Sequence, residues 1–213
     1  MFKFLKIISY PLITLFSLFS IYCLYNAISW AVMHPKAYLW FIIGFVAYIV
    51  LKGLLQKNLD FLETFTHELT HTIVVLAFFQ KIHLFHATNG EGGAISHSGK
   101  MTNNPFILLA PYCLPVYTFA LLILRLWITI KALWIIDLLI GLTFGFHAIA
   151  MKKQIGRFQP DIQYYGIFFS CLFIVAFILF HLILIIWSMR SGIDGALAHW
   201  LNNFVYVWKI FMR

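Results

Sequence analysis

Apolar residues occur along this chain in long runs that short polar stretches separate. A membrane-spanning helix needs about 20 consecutive apolar residues, and most of the runs approach or exceed that length. They cover approximately residues 5–33, 38–55, 61–80, 105–128, 132–151 and 162–187. The pattern therefore predicts an all-α polytopic membrane protein with five or six apolar segments.

The longest polar stretch covers residues 81–104 and follows the third apolar run. Apolar and polar residues alternate from Lys81 onward, and residues 89–93 have the sequence Asn-Gly-Glu-Gly-Gly, which is typical of a turn. This pattern predicts a small β-hairpin. Because two strands alone are only marginally stable in water, we expect the hairpin to pack on the membrane domain or to gain a strand from a partner.

Two further segments have distinctive patterns. The fourth apolar run contains Pro105, Pro111 and Pro115, which predict a broken or kinked start before a regular helix to about residue 128. Near the C-terminus, residues 195–213 have the pattern of an interfacial helix lying on the membrane. Its apolar face would consist of Leu197, Trp200, Leu201, Phe204, Trp208 and Phe211.

The composition agrees with the pattern. Of the 213 residues, 62% are hydrophobic and 10% are charged, whereas soluble domains carry roughly 25% charged residues. We therefore expect one membrane-embedded domain over residues 1–213, without a separate soluble domain. The first segment is too long to be a removed signal peptide and lacks a small-residue cleavage site.

The net charge of +8 does not indicate nucleic-acid binding, because the Lys and Arg residues are scattered at the ends of apolar segments. In that position they mark topology and contact lipid head groups. The larger share of them falls on the N-terminal side, which places the N-terminus in the cytoplasm. The expected location is the plasma membrane, or the inner membrane in a bacterium.

Candidate chemistry lies in the third apolar run, where residues 67–71 have the sequence His-Glu-Leu-Thr-His. On a helix, His67 and His71 share one face and can bind one metal ion, while Glu68 can accept a proton from a water molecule at that metal. Ionisable groups at membrane depth are costly and usually functional. The motif therefore predicts a single catalytic Zn²⁺.

A catalytic zinc ion typically has three protein ligands and one open position, so the two histidines need a partner. The residue six positions after His71 is Ala77, which excludes the metzincin continuation. The remaining candidates for the third ligand are Glu91, Asp137, His147, Asp161 and the loop histidines His83, His86 and His97.

Asp161 is the best placed of these candidates, because Pro160 favours the first turn of a helix and puts Asp161 at a helix start. Asp161 could also do no more than cap that helix. For His147, which lies in the fifth apolar run, we predict a role beside the metal ligands or in transition-state stabilisation.

Taken together, these features resemble the site-2 protease family of intramembrane zinc metalloproteases. The resemblance covers residues 61–180, with a metalloprotease-like core at about 61–188. In the family, the third ligand comes from a Leu-Asp-Gly motif, and Pro160-Asp161-Ile162 occupies its place here. Ala110-Pro111-Tyr112 loosely resembles the family's Gly-Pro helix start. The chain looks like a compact, divergent member without a regulatory PDZ domain.

The proposed ligand set constrains the topology. If all six segments crossed the membrane, His67 and Asp161 would lie near opposite faces, ~20 Å apart across a ~30 Å core. Zinc–ligand bonds are about 2 Å long, so one intervening segment must fail to cross. We predict that this re-entrant segment is the fifth, which contains Gly141 and Gly145.

The resemblance implies hydrolysis of peptide bonds within or near transmembrane segments of a membrane protein. The substrate would be a single-span protein or peptide, either intact or cut beforehand, and the hairpin could add it as a strand. A non-catalytic zinc-binding membrane protein, either a transporter or a regulatory scaffold, is the alternative. A structural membrane protein with a chance motif is the third hypothesis.

Overall fold

A computed structural model describes residues 2–88, 92–98, 104–155 and 159–212. The chain is mostly helical over these ranges, with one small sheet. Glu91 and most of the predicted hairpin turn lie outside the described residues. The helices are α1 (Phe2–Met33), α2 (Leu39–Leu54), α3 (Gln56–Ala77), α4 (Pro105–Leu108), α5 (Ala110–Cys113), α6 (Val116–Leu124), α7 (Leu133–Gln154), α8 (Pro160–Tyr165) and α9 (Ile167–Phe211).

Within the described ranges, four helical stretches are long and apolar enough to cross a membrane. They are Ser9–Met33, Pro35–Leu54, Ile130–Gln154 and Ile167–Ile210. The structure thus supports a membrane protein, whereas the predicted count of five or six segments is not confirmed. The motif helix α3 is not among the four, because acidic and polar side chains interrupt its apolar residues.

The fourth apolar segment is not one continuous helix. Two four-residue helices, α4 and α5, precede α6, and a proline opens or precedes each of the three. A proline fits the first turn of a helix but lacks the N–H that would continue a helix through it. The broken start that the prolines predicted is therefore present.

The fifth segment, which was predicted to be re-entrant, contains no break over its helical residues. This segment forms α7, a continuous helix of 22 residues. Its glycines allow close packing: a methyl group added at Gly141 would overlap the carbonyl of Phe41, and one added at Gly44 would overlap the carbonyl of Leu138. Small residues at these crossings let α2 and α7 pack along each other, as in other membrane helix pairs.

The last long helix, α9, changes direction at Gly192, whose φ of 76° and ψ of 171° are not helical. A positive φ favours glycine. Arg125 stabilises the bend, since its guanidinium donates to the carbonyl oxygens of Ser188 at 2.9 Å and Met189 at 3.2 Å. Trp187 then stacks on His199 with ring centres 4.3 Å apart, so the chain after Gly192 runs back along the first half of α9.

The C-terminal helix makes a contact that the sequence pattern did not predict. Trp200 packs against Phe19 with ring centres 5.4 Å apart, and Phe204 packs against Phe19 at 5.7 Å, so this helix lies on α1. The predicted apolar face is divided, because Leu197, Leu201 and Trp208 are exposed. The side chain of Phe211 lies outside the described part of the structure.

The hairpin forms as predicted, with β1 (Ile82–Thr88) antiparallel to β2 (Gly92–His97). Phe85 pairs with Ile95 in the ladder, and an irregularity follows Ile82. Phe85 also packs edge-on against Phe65 of α3, with ring centres 5.6 Å apart. The sheet therefore leans on the helix that carries the His-Glu-Leu-Thr-His motif.

Candidate metal centre

The motif helix brings His67 and His71 together with Asp161 of α8. Nε2 of His67 and Nε2 of His71 each lie 3.7 Å from Oδ2 of Asp161. This separation exceeds a normal hydrogen bond of 2.7–3.2 Å. It is close to the roughly 3.4 Å between neighbouring ligand atoms of tetrahedral zinc with bonds of about 2.1 Å. The spacing therefore fits three ligands around one ion better than direct bonds among the side chains.

The other ring nitrogen of each histidine faces an oxygen atom. Nδ1 of His67 is 2.9 Å from Oε1 of Gln154, and Nδ1 of His71 is 2.9 Å from the carbonyl oxygen of Ile107. These oxygens accept hydrogen bonds, so both Nδ1 atoms carry a proton and a metal ion would be bound through Nε2. Neutral imidazoles with a free Nε2 are the form that binds metals.

Asp161 lies in the first turn of α8, directly after Pro160. The hydroxyl of Tyr112 donates to its Oδ2 at 3.4 Å. Burial raises the pKa of the Asp161 carboxyl, but its interactions with His67 and His71 outweigh burial and hold that pKa well below its ordinary value. The side chain is therefore an anion under ordinary conditions, as a metal ligand must be.

Glu68 lines the same cavity, which has a volume of about 410 Å³ and is also lined by β2 and by Gln154. Its side chain is largely buried, with 6% of the residue exposed. Gly93 of β2 lies against it: a methyl group added there would come within 2.6 Å of Oε1 of Glu68. The Glu68 carboxyl can therefore occupy this position only because residue 93 has no side chain.

Among the described residues, His67, His71 and Asp161 are the one group of three or more His, Cys, Asp or Glu residues close enough to hold an ion. Comparison of the chain with family models, curated proteins and solved structures finds no match. The chemistry of the pocket must therefore be argued from its donor atoms. Two imidazole nitrogens and one carboxylate are a usual ligand set of catalytic zinc, which keeps its fourth position open.

The structure places the remaining third-ligand candidates elsewhere. Asp137 pairs with Arg125, whose Nε lies 2.8 Å from its Oδ1. His83, His86 and His97 lie on the strands of the hairpin and are not part of the ligand group.

His147 is not brought to the pocket either. It lines a separate cavity of about 30 Å³ together with Cys113 and His181. Its Nε2 has no hydrogen-bond partner in the described part of the structure. The predicted role of His147 beside the metal ligands therefore has no contact to support it.

Two contacts of the ligand histidines were missed by sequence reasoning. Gln154 follows Lys152 and Lys153 at the end of an apolar run, where a polar residue is unremarkable. The contact of His71 with the Ile107 carbonyl could have been found from the sequence. In an uninterrupted helix this carbonyl would accept from the N–H of residue 111, and residue 111 is proline, which has no N–H.

Proposed function

We propose that this chain is an intramembrane zinc metallopeptidase, similar to the site-2 proteases, which hydrolyses peptide bonds within or near transmembrane segments of membrane proteins. One observation carries the proposal. The Nε2 atoms of His67 and His71 each lie 3.7 Å from Oδ2 of Asp161, in a cavity that Glu68 also lines. Two imidazoles grouped around one carboxylate suit a cation, and these three residues would hold it as Zn²⁺.

The proposed topology follows from the site. We infer that α3 lies within the membrane domain beside the four long apolar stretches, and that the interrupted fourth segment replaces one regular crossing. This arrangement supports the approach of His67 and Asp161, which six full crossings would separate. The proposal keeps the N-terminus in the cytoplasm and the chain in the plasma membrane, or in the inner membrane of a bacterium.

The proposed reaction is hydrolysis of an amide bond. When bound, Zn²⁺ polarises the scissile carbonyl and lowers the pKa of water. Glu68, one residue from the ligand His67 and inside the same cavity, accepts the proton of the attacking water as a general base. The same carboxyl then returns the proton to the nitrogen of the leaving amine, so the proton balance closes on Glu68.

The hairpin supplies a surface for the substrate. In the described residues the sheet has two strands, so one edge of β2 is unpaired. Gly93, Ala94 and Ile95 of this strand line the cavity. An extended peptide can add to such an edge through main-chain hydrogen bonds. A helical substrate, single-span and already shortened by another protease, would unwind locally to do so.

The decisive experiment compares wild type with Glu68→Gln in purified, detergent-solubilised protein. We expect Glu68→Gln to bind one zinc ion per chain and to lose cleavage of a membrane-protein substrate by at least about 10²-fold, the scale of a general-base contribution. In cells, the same variant should accumulate uncleaved substrate, which crosslinking and mass spectrometry would identify.

The rival functions give different outcomes in this experiment. Cleavage by Glu68→Gln at the wild-type rate would contradict the peptidase mechanism. Zinc in both proteins with no trapped substrate and no cleavage would favour a non-catalytic zinc-binding protein, either a transporter or a regulatory scaffold. Absence of zinc from wild type would favour a structural membrane protein.

A further inference from the structure

Each ligand histidine is held at its outer nitrogen by a different part of the chain. His67 contacts the end of α7 through Gln154, and His71 contacts the broken fourth segment through the carbonyl of Ile107. Neither partner belongs to the ligand set or to the general base. The two contacts decide which nitrogen of each ring carries the proton, and therefore which nitrogen can bind a metal.

The amide of Gln154 can face His67 in one orientation only. Its Nε2 lies 3.4 Å from the carbonyl oxygen of Glu63, and a carbonyl oxygen can only accept a hydrogen bond. The amide NH₂ must therefore point to Glu63, which leaves Oε1 facing Nδ1 of His67. In this way a backbone oxygen of α3, one turn before His67, determines the tautomer of the His67 ring.

Charged groups fix the end of α7 in this position. Lys153, the neighbour of Gln154, lies 2.9 Å from Oδ1 of Asp60 and 3.4 Å from Oε2 of Glu63. Lys52 of α2 bonds the same two acids. Glu63 is buried, so its charge requires these partners. The four charges join α2, α3 and α7 directly beside Gln154.

The carbonyl that receives His71 is free because of a proline. Ile107 lies four residues before Pro111, and the helical i→i−4 hydrogen bond to the Ile107 oxygen would need an N–H at residue 111. Proline has none. The oxygen is therefore available to Nδ1 of His71 at 2.9 Å, inside a buried part of the structure.

We propose that Gln154 and Pro111 are positioning residues that hold His67 and His71 in the tautomer with a free Nε2. This inference rests on the proposed function only in taking a metal ion as the ligand of the site. It assigns a role to the polar residue at the end of α7 and to the proline that interrupts the fourth segment. Gln154 accepts directly from His67, whereas Pro111 acts indirectly, by leaving the Ile107 carbonyl free to accept from His71.

The test measures zinc affinity of the full chain in detergent, by competition with a chromophoric chelator. Loss of a group that orients a metal-ligating histidine typically weakens metal binding by about 10–100-fold, and we expect Gln154→Leu to fall in that range. Pro111→Ala supplies an N–H that competes with His71 for the Ile107 oxygen. We expect a smaller loss there, at the lower end of the same range, about tenfold.

Matched controls separate these contacts from general disturbance. Gln159→Leu changes the other glutamine that lines the cavity, and Pro115→Ala changes another proline of the interrupted segment. Both should bind zinc as tightly as wild type. Gln154→Glu keeps an acceptor toward His67 but loses the amide donor to the Glu63 carbonyl, so its zinc affinity should fall less than that of Gln154→Leu.

A second measurement reports on the ligands directly. With Co²⁺ in place of zinc, the visible absorption spectrum should change in Gln154→Leu and Pro111→Ala and stay unchanged in Gln159→Leu and Pro115→Ala. Wild-type affinity and an unchanged spectrum in Gln154→Leu and Pro111→Ala would overturn the positioning role and leave the peptidase proposal intact. Failure of wild type to bind zinc or cobalt would instead overturn the proposed function, and the positioning role with it.

Discussion

Among the described residues, two histidine pairs each combine a buried ring with a half-buried one, and their surroundings differ. His67 and His71 each direct Nε2 toward the Asp161 carboxylate, while Nδ1 of each ring faces an oxygen at 2.9 Å. His147 and His181 line a cavity of about 30 Å³ between helices. There, Nε2 of His147 and Nδ1 of His181 have no hydrogen-bond partner in the described part of the structure.

The difference shows what distinguishes a ligand pair from two histidines packed in a core. Each pair contains one buried histidine, His71 or His181, so burial alone does not indicate a metal site. The first pair has acceptors behind the rings and an anion in front of them, which together suit a cation. The second pair has no acidic residue among the side chains that line its cavity, which are otherwise mainly apolar.

The largest expected effect comes from removing one histidine of the first pair. His71→Ala leaves two protein ligands, and zinc affinity should fall by roughly 10²–10³-fold, since the total binding free energy of about 10–16 kcal/mol seen for four-ligand structural sites is shared among the ligands. Cleavage should be lost with it. His181→Leu, in the second pair, should bind zinc as tightly as wild type. An equal loss of zinc affinity in both variants would contradict the view that only the first pair binds metal.

The second-largest effect is expected from substituting Gly93, which packs against Glu68 beside the first histidine pair. A methyl group at residue 93 would come within 2.6 Å of Oε1 of Glu68, so Gly93→Ala must displace the general base or β2. Misplacement of a catalytic group by about 1 Å can cost 10²-fold, and we expect kcat to fall by about 10–100-fold with zinc still bound.

Gly53→Ala is the matched control for that variant, because nothing lies within 4 Å of a methyl group added there. Its kcat should equal that of wild type. A normal kcat in Gly93→Ala would show that Glu68 has more freedom than its contact with β2 indicates.

The smallest effect is expected at the second pair. His147→Leu replaces a buried polar ring that lacks a partner at Nε2 by an apolar side chain. Such a replacement is nearly neutral or stabilising, so the free energy of unfolding should change by no more than about 1 kcal/mol. Thermal unfolding in detergent, with zinc content measured in parallel, provides the check. Loss of zinc from His147→Leu would instead connect this histidine to the metal centre.

Much of the fold could be predicted from local sequence. Runs of apolar residues predicted the long helices, alternation around residues 82–97 predicted the hairpin, and prolines predicted the broken fourth segment. The fold-back of the C-terminal helix was not predictable in this way. It depends on one non-helical residue, Gly192, and on the guanidinium of Arg125, which comes from another part of the chain.

The candidate site was predictable to a similar degree. The spacing of His67 and His71 places them on one helix face, and Pro160 places Asp161 in a first helical turn. Gln154 could not be identified, because its contact with His67 depends on how α7 ends beside α3. That arrangement is fixed by lysines and acids far apart in sequence, such as Lys153 and Glu63.

The sequence by itself determined the features that depend on covalent geometry and on short-range periodicity. These features are the apolar helices, the shared face of His67 and His71, and the carbonyl of Ile107 that Pro111 leaves free. Only the tertiary structure decided which oxygen faces His67 and where the C-terminal helix packs. It also decided that α2 and α7 lie in close contact at Gly44 and Gly141. Contacts of that kind join residues about a hundred positions apart, and no local pattern encodes them.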